Sequence, residues 1–167
     1  MRLTNSLIRE GMKSIKLICY DFDGVMTDNK AYVDCDGREM VQINRADGLG
    51  ISEIRKRGIK QLILSTESNP VVNARALKLK IPCLQGVKDK AKTLKEYCYN
   101  LKISMEDVIY IGNDINDLKV MQLIGTPICP ADATQSIKKI SHIVLDSKGG
   151  DGVARELLEF MPKWSGQ

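Results

Sequence analysis

At 167 residues the chain has the length of about one domain, enough to close a core of its own. Apolar residues make up 43% and charged residues 28%, which excludes a disordered or collagen-like chain. The net charge of +4 is accompanied by only two Phe and one Trp, with no basic block longer than Arg55-Lys56-Arg57, so no nucleic-acid surface is expected, and no run approaches the ~18 apolar residues of a membrane helix.

Residues 1–14, interrupted by Arg2, Asn5, Arg9, Glu10 and Lys13, do not have the pattern of a signal peptide and read as an N-terminal extension to a single domain over 15–167. Ile15–Tyr20 is an apolar run of strand length. Ala31–Val33 and Glu39–Ile43 flank Asp36-Gly37, a hairpin turn signal. Residues 47–57 have helical spacing and stop at Gly58. A strand follows at Ile59–Leu64, then a helix opened by Pro70 and running to about Lys80, then a short strand at Ile81–Leu84. Lys88–Leu101 is amphipathic at helical spacing. Beyond the turn residues Ser104 to Asp107 come a strand at Val108–Ile111, a helix over about 116–123, a strand near Thr126–Cys129, a helix over about 133–139, a strand at Ile143–Leu145 and a helix over about 153–160.

This alternation implies an α/β fold: a Rossmann-like, mainly parallel sheet with helices on both faces, plus a β-hairpin flap. Five scattered cysteines without a Cys-x-x-Cys pair read as reduced, buried thiols of a cytoplasmic protein. The single histidine, His142, opens an apolar run and reads as structural.

In such a sheet, ligands bind beyond the carboxyl ends of the strands, and the residues there are unusually polar. Asp21 and Asp23 follow the first strand, two carboxylates whose mutual repulsion calls for a cation or a shared proton, and Gly24 allows a tight turn beside them. Ser65, Thr66 and Glu67 follow the second sheet strand with hydroxyls suited to a phosphate. Lys90 stands at the start of the helix after the third. Gly112-Asn113-Asp114-Ile115-Asn116-Asp117 follows the fourth as an oxygen-rich loop. Hard oxygen ligands and few carboxylates suit Mg²⁺ with a phosphate group, and a carboxylate nucleophile divides phosphoryl transfer into two easier displacements.

These segments, in order, resemble the four motifs of the haloacid dehalogenase superfamily of phosphatases. Together with Arg45-Ala46-Asp47-Gly48-Leu49-Gly50-Ile51 and Gly149-Gly150-Asp151-Gly152-Val153-Ala154-Arg155-Glu156, they resemble its subgroup acting on phosphorylated 2-keto-3-deoxy sugar acids. That subgroup includes the 3-deoxy-manno-octulosonate 8-phosphate phosphatases, the nonulosonate 9-phosphate phosphatases and the phosphatase-like tail of CMP-sialate synthetases. The resemblance spans about residues 15–160. It implies that Asp21 is the nucleophile and Asp23 the general acid–base. It implies a phosphate site at Ser65, Thr66, Lys90 and Asn116, with Asn116 and Asp117 also orienting the fourth-motif loop. It further implies Mg²⁺ held by Asp21, the Asp23 carbonyl and that loop. Two positions depart from the pattern: Asn113 stands where many members have Asp, which leaves Asp114 as an alternative ligand, and Thr66 stands where relatives often have Gly.

Octulosonate phosphatases usually carry Arg at the position of Glu67. Glu67 followed by Arg75 and Lys78 resembles the nonulosonate phosphatases, with a cation for the sugar carboxylate and Glu67 for its hydroxyls. The intervals 22–64 and 66–89 have no room for a cap domain, and capless relatives form tetramers whose hairpin, here about 30–43, covers a neighbour's site. A homotetramer acting on a small sugar-acid phosphate is therefore expected. The alternatives are an octulosonate phosphatase, a weakly active oligomerisation module favoured by Asn113, and a phosphate-accepting receiver domain, which Leu84-Gln85-Gly86 disfavours because no acid follows the third strand.

Overall fold

Side chains alternate along the first strand, β1 (Leu17–Tyr20). Leu17 and Cys19 enter one hydrophobic core while Ile18 and Tyr20 enter another, as strand geometry requires. The same split recurs in β4 (Lys60–Leu64) and β6 (Val108–Ile111). Strands buried on both faces must be covered by helices on both sides. The computed structural model describes residues 14–161. Of the expected N-terminal extension only Ser14 is among them, and the tail 162–167 also lies outside the described residues.

With β5 (Cys83–Leu84), β7 (Thr126–Cys129) and β8 (Ile143–Val144) the strands form one six-stranded sheet, ordered β5-β4-β1-β6-β7-β8, and every pairing in it is parallel. The chain leaves β1 toward β4 and later returns to its other side at β6. This reversal opens a crevice at the carboxyl edge. The hairpin β2 (Thr27–Val33) and β3 (Glu39–Ile43) stands apart as a two-stranded antiparallel sheet. Its first strand begins four residues before the expected Ala31, across a register shift where Asn29 takes a left-handed φ of 64°. Polar Thr27-Asp28-Asn29 carries no strand signal.

The helices are α1 (Arg45–Lys56), α2 (Pro70–Leu79), α3 (Lys90–Leu101), α4 (Ile115–Met121), α5 (Gln135–Ile140) and α6 (Val153–Phe160). α1 and α3 start where their caps put them: the Asn44 side chain accepts from Ala46 N–H and that of Asp89 from Lys92 N–H. The core of Ile18 and Tyr20 includes Ile51, Ile54, Val72, Ala76 and Leu157 from α1, α2 and α6. The other includes Leu94, Cys98, Val120, Met121 and Ile137 from α3, α4 and α5. All five cysteines are free; Cys19, Cys98 and Cys129 are buried as expected, whereas Cys35 is exposed at the hairpin tip. No helix among the described residues is long and apolar enough to cross a membrane.

α6 begins at Gly152 without a side-chain cap of its own. Asp47, on α1, supplies one from across the chain: its Oδ1 accepts from Ala154 N–H at 2.8 Å and Arg155 N–H at 3.3 Å, two of the orphan donors of a helix start. Gly50 lets the helices close, since an added Cβ would lie 2.5 Å from the Ala154 carbonyl oxygen. The two glycine-rich motifs of the sequence therefore meet in space. Asp47 is 1% exposed and its Oδ2 has no partner. Burial pushes its carboxyl up to about 6, against the pull of the two N–H groups and Arg75. The folded state thus holds this proton more tightly than the unfolded chain does, so stability falls as pH rises from about 4 through 6. The stability difference between wild type and Asp47→Asn in urea titrations is expected to move against the wild type by about 3 kcal/mol between pH 4 and 7; a pH-independent difference contradicts the assignment.

Candidate active site

Asp21 is the first residue past β1, and its N–H still bonds the Ile111 carbonyl of β6 at 2.9 Å, so the sheet ladder fixes the backbone of this residue. Its Oδ1 accepts from Phe22 N–H at 2.7 Å and pairs with Lys90 Nζ at 2.8 Å. Lys90, the first residue of α3, is 3% exposed. Its ammonium also donates to Asp117 Oδ1 at 2.7 Å. Asp117 is fully buried and accepts three further bonds: Tyr110 Oη donates to Oδ1 at 2.7 Å, and the N–H groups of Asn113 and Asp114 donate to Oδ2 at 2.9 and 3.4 Å. The orienting role expected of Asp117 is visible in these bonds. Asn116, its partner in that expectation, is exposed on the first turn of α4. Gly112 is required here because a Cβ would overlap the Asp117 side chain.

Two carboxylates thus share one buried ammonium. Burial raises the Asp21 carboxyl to about 8; the Asp117 charge adds to the rise while Lys90 and the Phe22 N–H oppose it. The cluster is one positive charge short. Asp23 is half-buried and also raised, chiefly by burial and further by Glu67 and Glu39, while a hydrogen bond from the Thr27 hydroxyl lowers it. A carboxyl that holds its proton more firmly than usual is suited to general-acid work. The Thr27 hydroxyl donates to Asp23 Oδ1 at 3.3 Å, and the Thr27 oxygen accepts from Gly24 and Asn29 N–H at 3.3 and 3.2 Å.

The structure separates the two candidate metal ligands of the fourth motif. Asp114 is the N-cap of α4: it accepts from Ile115 N–H and closes a capping box with Asp117. The Asn113 side chain lies against Gly24, where a Cβ would overlap its amide, and its buried Oδ1 has no partner. A buried, unpartnered carbonyl-type oxygen beside a cluster lacking one positive charge fits a hard cation such as Mg²⁺. Among the described residues no group of three or more His, Cys, Asp and Glu is placed to hold a metal; the oxygens that could hold one are those of Asp21, Asn113 and the Asp23 carbonyl.

Ser65 follows β4 and is 1% exposed. Its N–H bonds the Leu84 carbonyl at 2.9 Å and its Oγ accepts from Glu67 N–H at 3.1 Å. Thr66 and Glu67 are exposed beside it. Arg75 differs from expectation: its guanidinium is buried, donates to the Asn44 carbonyl at 3.0 Å and faces Asp47, so it braces the start of α1 rather than waiting for a sugar carboxylate. Val72, Arg75, Ala76 and Leu79 form the inward stripe of α2, a spacing of three and four that marks Arg75 as inward-facing. Lys78 is exposed in the last turn of α2, about 12 Å along the axis from the helix start.

Two features escaped the sequence. Glu39, on the hairpin, accepts from Asn69 Nδ2 at 3.1 Å, and with Glu67 it makes the mouth near Asp23 acidic. Gly149 and Gly150 lie against the loop that carries Asp23. Gly150 N–H bonds the Val25 carbonyl at 2.9 Å, and its added Cβ would lie 2.5 Å from Asp28 N.

The haloacid dehalogenase-like hydrolase family model matches residues 83–157. A Yersinia pestis 3-deoxy-D-manno-octulosonate 8-phosphate phosphatase is 34% identical over 149 residues, spanning 89% of this chain and 80% of that protein. The chain belongs to the haloacid dehalogenase-like hydrolases. It is also 32% identical to N-acylneuraminate cytidylyltransferase A of Danio rerio over 87% of its own length, but spans only 34% of that longer protein. The crystal structure of the Moraxella catarrhalis 3-deoxy-D-manno-octulosonate 8-phosphate phosphatase, in complex with magnesium, phosphate and KDO, superposes with a TM-score of 0.89 at 30% identity, covering 92% of this chain and 89% of that one.

If Asn113 Oδ1 is the loop's metal oxygen, Asn113→Asp is expected to lower the Mg²⁺ concentration for half-binding by roughly an order of magnitude in calorimetric titrations, because it replaces a dipole with a charge. Asp114→Asn is expected to leave that titration unchanged. The reverse ranking contradicts the assignment.

Proposed function

We propose that the protein is a Mg²⁺-dependent phosphatase of phosphorylated 2-keto-3-deoxy sugar acids. The observation that carries this reading is the pairing of Asp21 with Lys90 at 2.8 Å, in a site where Asn113 Oδ1 is left without a partner. Asp21 attacks phosphorus, and the bond from phosphorus to the sugar oxygen breaks as Asp23 gives that oxygen its proton. Asp23 then takes a proton from water, which attacks the aspartyl phosphate and releases phosphate and free Asp21. Ser65 and Lys90, with Thr66 at the rim, hold the transferring group. Bound Mg²⁺ supplies the missing positive charge at Asp21 and the phosphoryl oxygens.

Within this class we favour a nonulosonate 9-phosphate. Glu67 and Glu39 make the mouth acidic, which accepts the hydroxyls of a long polyol tail and repels a carboxylate, so the acid end of the sugar lies farther out. The resemblance to a protein named for N-acylneuraminate is in keeping with this. The octulosonate 8-phosphate is the second reading, favoured by the names of the Yersinia and Moraxella relatives. We further infer a homotetramer with the hairpin over a neighbouring site, supported by Tyr32, Val33 and Met40, apolar side chains of the hairpin that are 73%, 64% and 66% exposed in the single chain; a single-chain mass by light scattering opposes it.

In a phosphate-release panel with Mg²⁺, the nonulosonate 9-phosphate is expected to give at least tenfold higher kcat/KM than the octulosonate 8-phosphate, with Asp21→Asn inactive on both. Glu67→Arg is expected to narrow or reverse the preference. Equal or higher kcat/KM for the octulosonate ester selects the second reading, and activity retained in Asp21→Asn overturns the mechanism.

A further inference from the structure

Tyr110 is a β6 residue with no surface exposure and a phenol committed to one bond. Its hydroxyl donates to Asp117 Oδ1 at 2.7 Å, the same oxygen that receives Lys90 Nζ at 2.7 Å. Lys90 in turn reaches Asp21 Oδ1 at 2.8 Å. A relay of short contacts therefore joins a tyrosine of the sheet core to the nucleophile. A side chain serving packing alone on this strand would match its neighbours Val108, Ile109 and Ile111, which are all apolar; burying a hydroxyl here is tolerable because Asp117 accepts its proton.

The consequence lies in how Asp117 divides its charge. Its Oδ2 is occupied by two backbone N–H groups and its Oδ1 by Tyr110 and Lys90. An acceptor saturated by four donors draws less on any one of them. Resting on the phosphatase reading above, we infer that Tyr110 is a positioning residue: by taking part of the Asp117 charge, its hydroxyl leaves the Lys90 ammonium available to Asp21 and to the transferring phosphoryl group. Without that hydroxyl, Asp117 Oδ1 has Lys90 as its only side-chain donor, and the ammonium is drawn toward it and away from the reacting atoms. Burial holds the phenol far above its ordinary pKa, so Tyr110 stays a donor throughout the working pH range.

The test uses p-nitrophenyl phosphate, which is independent of the sugar's identity, and vanadate as a mimic of the transferring group. Tyr110→Phe is expected to lower kcat about tenfold and to weaken vanadate inhibition by a similar factor, with KM changed less than about twofold. Replacement of Tyr110 with 3-fluorotyrosine, which keeps the donor, is expected to restore both, and it serves as the informative variant if the Phe protein folds poorly. Unchanged vanadate affinity in Tyr110→Phe overturns the inference, even if total activity falls, because loss of folded protein lowers activity without moving an inhibition constant. So does an equal loss in the fluorotyrosine protein. A wild type that neither hydrolyses the ester nor binds vanadate overturns the phosphatase reading itself, an outcome distinct from any produced by the variant.

Discussion

One ammonium stands between two buried carboxylates, and the site is arranged around that shortage of positive charge. Lys90 cannot neutralise both Asp21 and Asp117. Asp117 meets its share of the deficit with hydrogen bonds from Tyr110 and the fourth-motif backbone, whereas among the described residues Asp21 has only Lys90 and the Phe22 N–H. The shortage therefore falls on Asp21, whose carboxyl is pushed up to about 8, and the buried Oδ1 of Asn113 in the same loop system is also without a partner. A dry, partly unpaired carboxylate is costly to the fold, and in so low a dielectric a divalent cation gains most by binding it; a phosphate ester, itself anionic, is repelled until such a charge is supplied.

Distant segments hold this arrangement in place. The loop carrying Asp23 and Gly24 is pressed on one side by Asn113 and on the other by the Gly149-Gly150 backbone. That glycine segment leads into α6, whose first turn is capped by Asp47 on α1, and Arg75 of α2 bonds the Asn44 carbonyl where α1 begins. The two glycine-rich motifs are thus one structural joint, in which small residues allow close approach and one carboxylate joins helices more than 100 residues apart in the chain. The expected part of such a joint in catalysis is rigidity, since small displacements of reacting groups cost rate steeply.

Much of this was legible in the sequence. Apolar runs alternating with helical spacing give the parallel sheet, because strands buried on both faces must read apolar throughout. Polar residues directly after each run give the site, because the topology collects strand ends. What local pattern could not reveal is pairing across the chain: Asp47 reads as an acid in the first turn of α1, and only the fold shows its partners at Ala154 and Arg155. Tyr110 reads as one more strand residue, since a phenol's bond to a residue seven positions on leaves no periodic trace. Asn113 and Asp114 are indistinguishable as ligands until the capping of α4 engages one of them. Arg75 could be placed from sequence, since its spacing from Val72 and Leu79 puts it on the buried stripe of α2.

The central claim, that the phosphoryl group passes through the side chain of Asp21, is most directly tested by trapping. Mixing enzyme, Mg²⁺ and substrate on the millisecond scale, quenching, reducing the acyl phosphate with borohydride and sequencing the peptides by mass spectrometry should yield homoserine at position 21. Homoserine at another aspartate, or an unmodified residue 21 during rapid turnover, would contradict the account.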